Sequence, residues 1–315
     1  MPPVIYNKPF RDYANLVAHL SGKGLSIHSV QEAEQMLKKV NYYRFKIYLR
    51  PFLDLRTNRF VAPADFRDGL NLYYFDRELR ELLFSIVSRL EIKLRSRLDQ
   101  VVTEHTGNAF WYLDNTLFHR QQTATVVQNE IDVSFQRSTD DFVNHFKTKY
   151  VNNINATYPH LPPFWIAAEL TTFGNVRALY EALDKSRFST SPRTNKLDSL
   201  AQEFGAANLR DLNGWLTALR DIRNRCAHHS RLWNCNYREP PAIRQILDHQ
   251  LQPSHPNRIY LILAVVQIMS TKIGIDLNAG IKDSVLRLFA NYPVAGNFLR
   301  SMGFPNNWET DPLWG

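Results

Sequence analysis

A chain of 315 residues, 44% of them hydrophobic, has enough apolar mass for one large or two modest domains. Its formal charge of +8 favours polyanionic partners and says nothing about fold. No stretch approaches the roughly 18 uninterrupted apolar residues of a membrane span, the opening residues lack an apolar signal core, and two cysteines make no disulfide framework; a soluble protein of the reducing cytoplasm is expected.

Taken in order, residues 9–20 read as a short helix ended by Ser21-Gly22-Lys23-Gly24. A second helix starts after Ser29, with Glu32 completing a capping box, and runs into Asn41-Tyr42-Tyr43-Arg44-Phe45. This aromatic-basic cluster, continued by Tyr48, could stack bases and hold phosphates, with Arg44 the candidate RNA contact. Such a cluster is more often core with an amphipathic rim. Residues 51–63 are turn-rich, and residue 60 is taken as the boundary between an N-terminal helical lobe (1–60) and a larger helical domain (61–315).

Residues 64–105 form the longest periodic run, with Leu79, Leu82, Leu83, Ile86, Leu90 and Leu94 at threes and fours. Arg89, Lys93, Arg95 and Arg97 make its later part basic, either as an ordinary solvated face or as one wall of an RNA groove. Helices follow over 117–135 and 140–150, then a loop over 152–163. A further helix begins at Phe164-Trp165, breaks near Phe173-Gly174 and resumes to Leu183. Residues 186–194 read as a basic, hydroxyl-rich linker, 196–204 as a helix, and 209–231 as the next. Beyond lie helices over 242–251, 257–273 and 281–292. Trp308 and Trp314 in the acidic tail are expected to pack back onto the body. Phe60-Val61 is the one candidate strand stub, and no glycine-rich phosphate loop is present, which argues against a nucleotide-driven enzyme.

The densest chemistry lies at the end of the 209–231 run, in Arg223-Asn224-Arg225-Cys226-Ala227-His228-His229-Ser230-Arg231-Leu232-Trp233-Asn234. RNA can be cut by its own 2′-hydroxyl if one proton is removed, another delivered, and the charge on phosphorus held. A histidine moves protons near neutral pH, an arginine fork matches phosphate oxygens, and an asparagine orients either. Arg223, Asn224 and His228 therefore suffice in type, although basic residues in a last helical turn also simply complement the helix dipole. Cys226, His228, His229 and Cys235 lack zinc-ligand spacing, so no metal and no cofactor is expected.

On an ideal helix at about 100° per residue, Leu212, Trp215, Leu216, Leu219, Ile222 and Cys226 form one apolar stripe, with Arg223 inside it. A charge there needs a partner or a polar cleft, and Glu91 is the candidate carboxylate. Arg220, Asn224, His228 and Arg231 share another face; His229 falls away and ranks second to His228. Arg223 and His228 stand roughly 140° apart. Either the last turn departs from α geometry, or a second copy of the motif completes the site.

The Arg-Asn-x-x-x-His core resembles the signature of HEPN-type ribonucleases. The longer phrase, together with Asn-Tyr-Tyr-Arg-Phe at 41–45, residues 72–80, the Pro-x-Trp and Phe-Gly pairs and the Trp308–Trp314 tail, is similar to the abortive-infection (AbiD/AbiF-like) branch. The resemblance implies an all-α fold with a HEPN-like core, an N-terminal helical lobe and a helical C-terminal extension. It implies a metal-independent endoribonuclease acting as a toxin in anti-phage defence, a homodimer with paired motifs facing one cleft, and a small structured RNA as controlling partner. Arg223, Asn224 and His228 would be catalytic, His229 and Arg231 secondary; Arg44, Arg220 and Arg225 are candidate RNA contacts. The rival expectation is a non-catalytic RNA-binding protein in which the same basic helix holds RNA and cuts nothing.

Overall fold

The computed structural model describes residues 3, 5–7, 9–152, 154, 158, 160–247, 257–275, 277 and 279–315. The chain is all-α. In order run α1 (Tyr13–Gly22), α2 (Val30–Lys39), α3 (Tyr42–Leu49), the strands β1 (Leu53–Asp54) and β2 (Arg59–Phe60), and α4 (Phe66–Thr106). There follow α5 (Gln121–Arg137), α6 (Asp141–Tyr150), α7 (Phe164–Ala167), α8 (Phe173–Ala182), β3 (Ser189–Ser191), β4 (Thr194–Asn195), α9 (Lys196–Glu203) and α10 (Leu209–Ala227). The last are α11 (Ile243–Ile246), α12 (Ile259–Ile273) and α13 (Ile281–Asn291). Each strand pair is a two-stranded antiparallel hairpin. No helix among the described residues is long and apolar enough to cross a membrane.

Side-chain caps place most boundaries. Asp12 accepts from Asn15 N at 2.8 Å to open α1, and Ser29 accepts from Glu32 N at 3.1 Å to open α2. The single helix expected to run from 29 through 45 is two helices. Val40 is extended, and the Asn41 side chain accepts from Tyr43 N at 2.8 Å, starting α3 afresh. The interruption expected near Phe173-Gly174 falls at Thr171-Thr172, where the Thr172 hydroxyl accepts from Asn175 N and caps α8. The stretch 186–194 is not a linker. It forms a 3-10 turn and the β3–β4 hairpin, because Phe188 is fully buried and the Asn195 side chain donates to Lys185 O at 2.8 Å. The helix expected over 242–251 is described only as far as Leu247; residues 248–251 lie outside the described set.

The helices fall into two compact units, Met1–Leu79 with Val285–Phe298, and Arg80–Ser284 with Leu299–Gly315. The division lies within α4, whereas the sequence suggested residue 60. The turn-rich stretch belongs to the first unit because Phe52 and Phe60 pack against its core. That core gathers Val17, Leu20, Leu37, Phe45, Leu49 and Phe66, and Tyr48 OH donates to the buried Asp76 carboxylate at 2.6 Å. Phe45 and Tyr48 are therefore core while Tyr43 and Arg44 face solvent, which divides the aromatic-basic cluster between the two roles weighed for it.

In the second unit, the apolar α12 is buried on nearly every face. Trp308 and Trp314 do pack back: Trp314 lies 6.0 Å from Tyr260 and 5.2 Å from Trp308 between ring centroids. Burial there pushes the Tyr260 hydroxyl up to about 12.

Candidate active site

The site grows from α10. Asn208 caps its start by accepting from Asp211 N at 3.0 Å. The stripe Leu212, Trp215, Leu216, Leu219, Ile222 and Cys226 is buried as its spacing requires. It packs α10 against α8, α9 and α12. Between α8 and α10, Arg177 donates to Asn213 Oδ1 at 3.0 Å and Thr217 Oγ1 at 3.3 Å, and pairs with Glu181 at 2.7 Å. Burial raises the Glu181 carboxyl, but hydrogen bonds from Arg177 and Arg120 outweigh it and hold the group below its usual range.

Pro241 brings the chain back against α10. Its carbonyl accepts from Trp215 Nε1 at 2.8 Å. Its ring would lie 2.3 Å from a Cβ built on Gly214. Gly214→Ala should therefore destabilise the protein by about 1–3 kcal/mol, because the proline ring cannot yield. Urea denaturation checks the sign: on an open helix face the same change would stabilise by about 1 kcal/mol.

Helix α10 ends at Ala227, four residues before the expected end. His228 is the cap residue, its N–H donating to Asn224 O at 2.9 Å. His229 is left-handed at φ 53°, with His229 N donating to Cys226 O at 3.0 Å and Ser230 N to Arg225 O at 2.8 Å. This is a Schellman ending with histidine where glycine is usual. The last turn thus departs from α geometry, and Arg231 leaves the face it was expected to share with Arg220 and Asn224. His229→Gly should stabilise by about 1 kcal/mol, since an L-residue pays for that conformation and glycine does not; a thermal melt reads it.

Arg223 does lie against Glu91. Its Nε stands 3.8 Å from Glu91 Oε2, with 39% of the arginine side chain and 10% of the glutamate exposed. That distance is an ion pair but exceeds hydrogen-bond range. The other oxygen of Glu91 takes a closer bond, from Arg95 Nη2 at 2.5 Å. Arg95 also donates to Ala168 O at 3.0 Å and Thr171 O at 2.8 Å. Sequence reasoning set Arg95 on a basic face and missed this role. The i,i+4 step from Glu91 was the available signal.

Asn224 and His228 are both exposed, and among the described residues no side-chain hydrogen bond or ion pair engages either. Arg220 is half-buried, with its Cδ 3.6 Å from a Cβ built on Gly174. Arg225 is half-buried, pairs with Asp221 at 2.9 Å and lies 5.3 Å over the Tyr237 ring. Arg231 sits 5.9 Å over Trp233, which is fully buried beside Leu232 and anchors the chain after the motif. Cys226 is a core residue of the stripe. Arg44 belongs to the first unit, exposed on α3.

The structure thus presents, at one helix end, a half-exposed guanidinium backed by a carboxylate and an exposed imidazole and amide. No curated protein and no solved structure matches the chain. A family model described as Abi-like protein matches residues 35–234, from α2 to the asparagine that closes the motif. With well over half of its length in that match, the chain belongs to this abortive-infection-like family.

Proposed function

We propose that the protein is a HEPN-type endoribonuclease that needs no metal ion and acts as an abortive-infection toxin. The observation that carries this reading is the tip of α10, where Asn224 and His228 are exposed and Arg223 stands 3.8 Å from Glu91, its fork not closed on the carboxylate. A dry, bidentate pair would have used up the phosphate-binding donors.

In the proposed reaction His228 takes the proton of a 2′-hydroxyl. The 2′-oxygen forms a bond to the adjacent phosphorus, and the bond from phosphorus to the 5′-oxygen breaks. That oxygen receives a proton from a second, protonated imidazole. Arg223 holds the phosphate oxygens as charge builds, and Asn224 orients the base or the hydroxyl. One chain supplies one first-choice histidine, so the second comes from a second copy in a homodimer. A small structured RNA is the proposed restraint on the toxin, and the +8 charge is compatible with it.

The test is an end-labelled RNA incubated with the protein in EDTA. Products bearing 2′,3′-cyclic phosphate and 5′-hydroxyl ends support the reading. RNA that is bound and never cut leaves a non-catalytic RNA-binding protein in its place. Light scattering that shows a monomer at working concentration would remove the shared-cleft arrangement.

A further inference from the structure

The first unit carries a second surface, away in sequence from the motif. A concave groove of about 1220 Å³ lies among α1, α2, α3 and the β1–β2 hairpin. Arg11, Lys23, Lys38, Lys46 and Arg50 line it. Among its described lining residues the one acid is Asp12, which caps α1. Its aromatic rings keep exposed area: Phe10 is 92% exposed, Tyr43 52% and Tyr13 41%. Exposed rings cost hydrophobic free energy unless something covers them.

Two of the cations sit beside the rings. Lys46 Nζ stands 4.1 Å from the Tyr43 centroid, and Lys38 Nζ 6.0 Å from that of Tyr13. Burial, reinforced by Arg11 and Lys23, holds the His19 pKa down, as a positively charged recess should. A groove wall shared by flat rings and point cations suits a strand that offers both base faces and phosphates. A duplex hides its base faces, a run of acidic side chains offers no flat rings to match the exposed tyrosines, and a bilayer surface is too flat for a concave site.

We propose that this groove binds an unpaired, single-stranded segment of nucleic acid, stacking bases on Tyr43 and Tyr13 and pairing phosphates with Lys38, Lys46 and Arg50. It gives the RNA partner of the proposed function a place on the molecule, yet binding here needs no cleavage.

Fluorescence anisotropy on the full chain carrying His228→Ala, with labelled oligo(U) of about 15 nucleotides, tests it. Tyr43→Ala should weaken binding about tenfold. Lys38→Ala and Lys46→Ala should each flatten the logarithmic salt dependence by about 0.7. Circular dichroism melts exclude unfolding as the cause. Oligo(dT) in place of oligo(U) tells DNA from RNA, and groove-dependent binding of either supports the proposal. Unchanged affinity in all three variants overturns it. So does a preference for duplex, for polyglutamate, or for phosphatidylserine vesicles. The two readings fail separately: groove-dependent binding without cleavage by the unmodified chain sinks only the nuclease, and cleavage with groove-independent binding sinks only the groove.

Discussion

His228→Ala is expected to slow RNA cleavage by about 10²–10⁴-fold, the usual worth of a positioned proton-transfer group. Binding of the same RNA should hardly change, because His228 is exposed and no side-chain partner among the described residues ties it into the fold. Arg223→Ala should lower cleavage by a similar factor and also weaken binding, since in the proposed reaction its fork holds phosphate in the ground state as well as the transition state. Arg223→Lys should recover little, as an ammonium cannot reproduce the planar two-donor grip. The control is His229→Gly, which should leave the rate within a few-fold. Loss of cleavage in His229→Gly with full activity in His228→Ala would falsify the choice of base.

The largest effect on stability is expected at Glu91. This residue is buried to 8% exposure and serves two arginines, one at 2.5 Å and one at 3.8 Å. Removing it in Glu91→Ala leaves the guanidinium of Arg95, 16% exposed, without its counter-charge. Breaking a buried pair in this way costs about 3–5 kcal/mol. The lower end is the expected value, because two backbone carbonyls still accept from Arg95. Glu91→Gln keeps the shape and one acceptor, and should cost about half as much. Urea denaturation of the two variants separates the charge from the packing; no loss in Glu91→Gln beside a full loss in Glu91→Ala would show that Glu91 matters here for its volume alone. Cleavage by Glu91→Gln carries a second readout. If Glu91 positions Arg223, kcat falls while the folded fraction stays high.

Much of this protein could be read along the chain. Three-and-four spacing marked α4 and the stripe of α10, because burial of one helix face is a local, periodic constraint. Ser29 marked a helix start, since its hydroxyl satisfies a backbone N–H three residues away. The aromatic tail was readable because tryptophans are too costly to leave in water. The Arg-Asn-x-x-x-His phrase stood out by composition alone, and the carboxylate that faces Arg223 could be named from the need to balance a charge inside an apolar stripe.

Other features depended on residues distant in sequence. The break at Val40-Asn41 hinged on whether an asparagine side chain would compete with the helix, and periodicity carries no trace of that competition. The stretch 186–194 looked like linker until Phe188 found a buried site. The early end of α10, with His229 left-handed, comes from the anchoring of Leu232 and Trp233 in the core just beyond it. Arg95 was legible as a cation but not as the clasp on Glu91, Ala168 and Thr171, because those three meet only when α4 packs beside the turn before α8. Local chemistry therefore determined which groups the protein has to work with. Long-range packing decided which of them are exposed, because only the folded chain sets how much water each side chain retains.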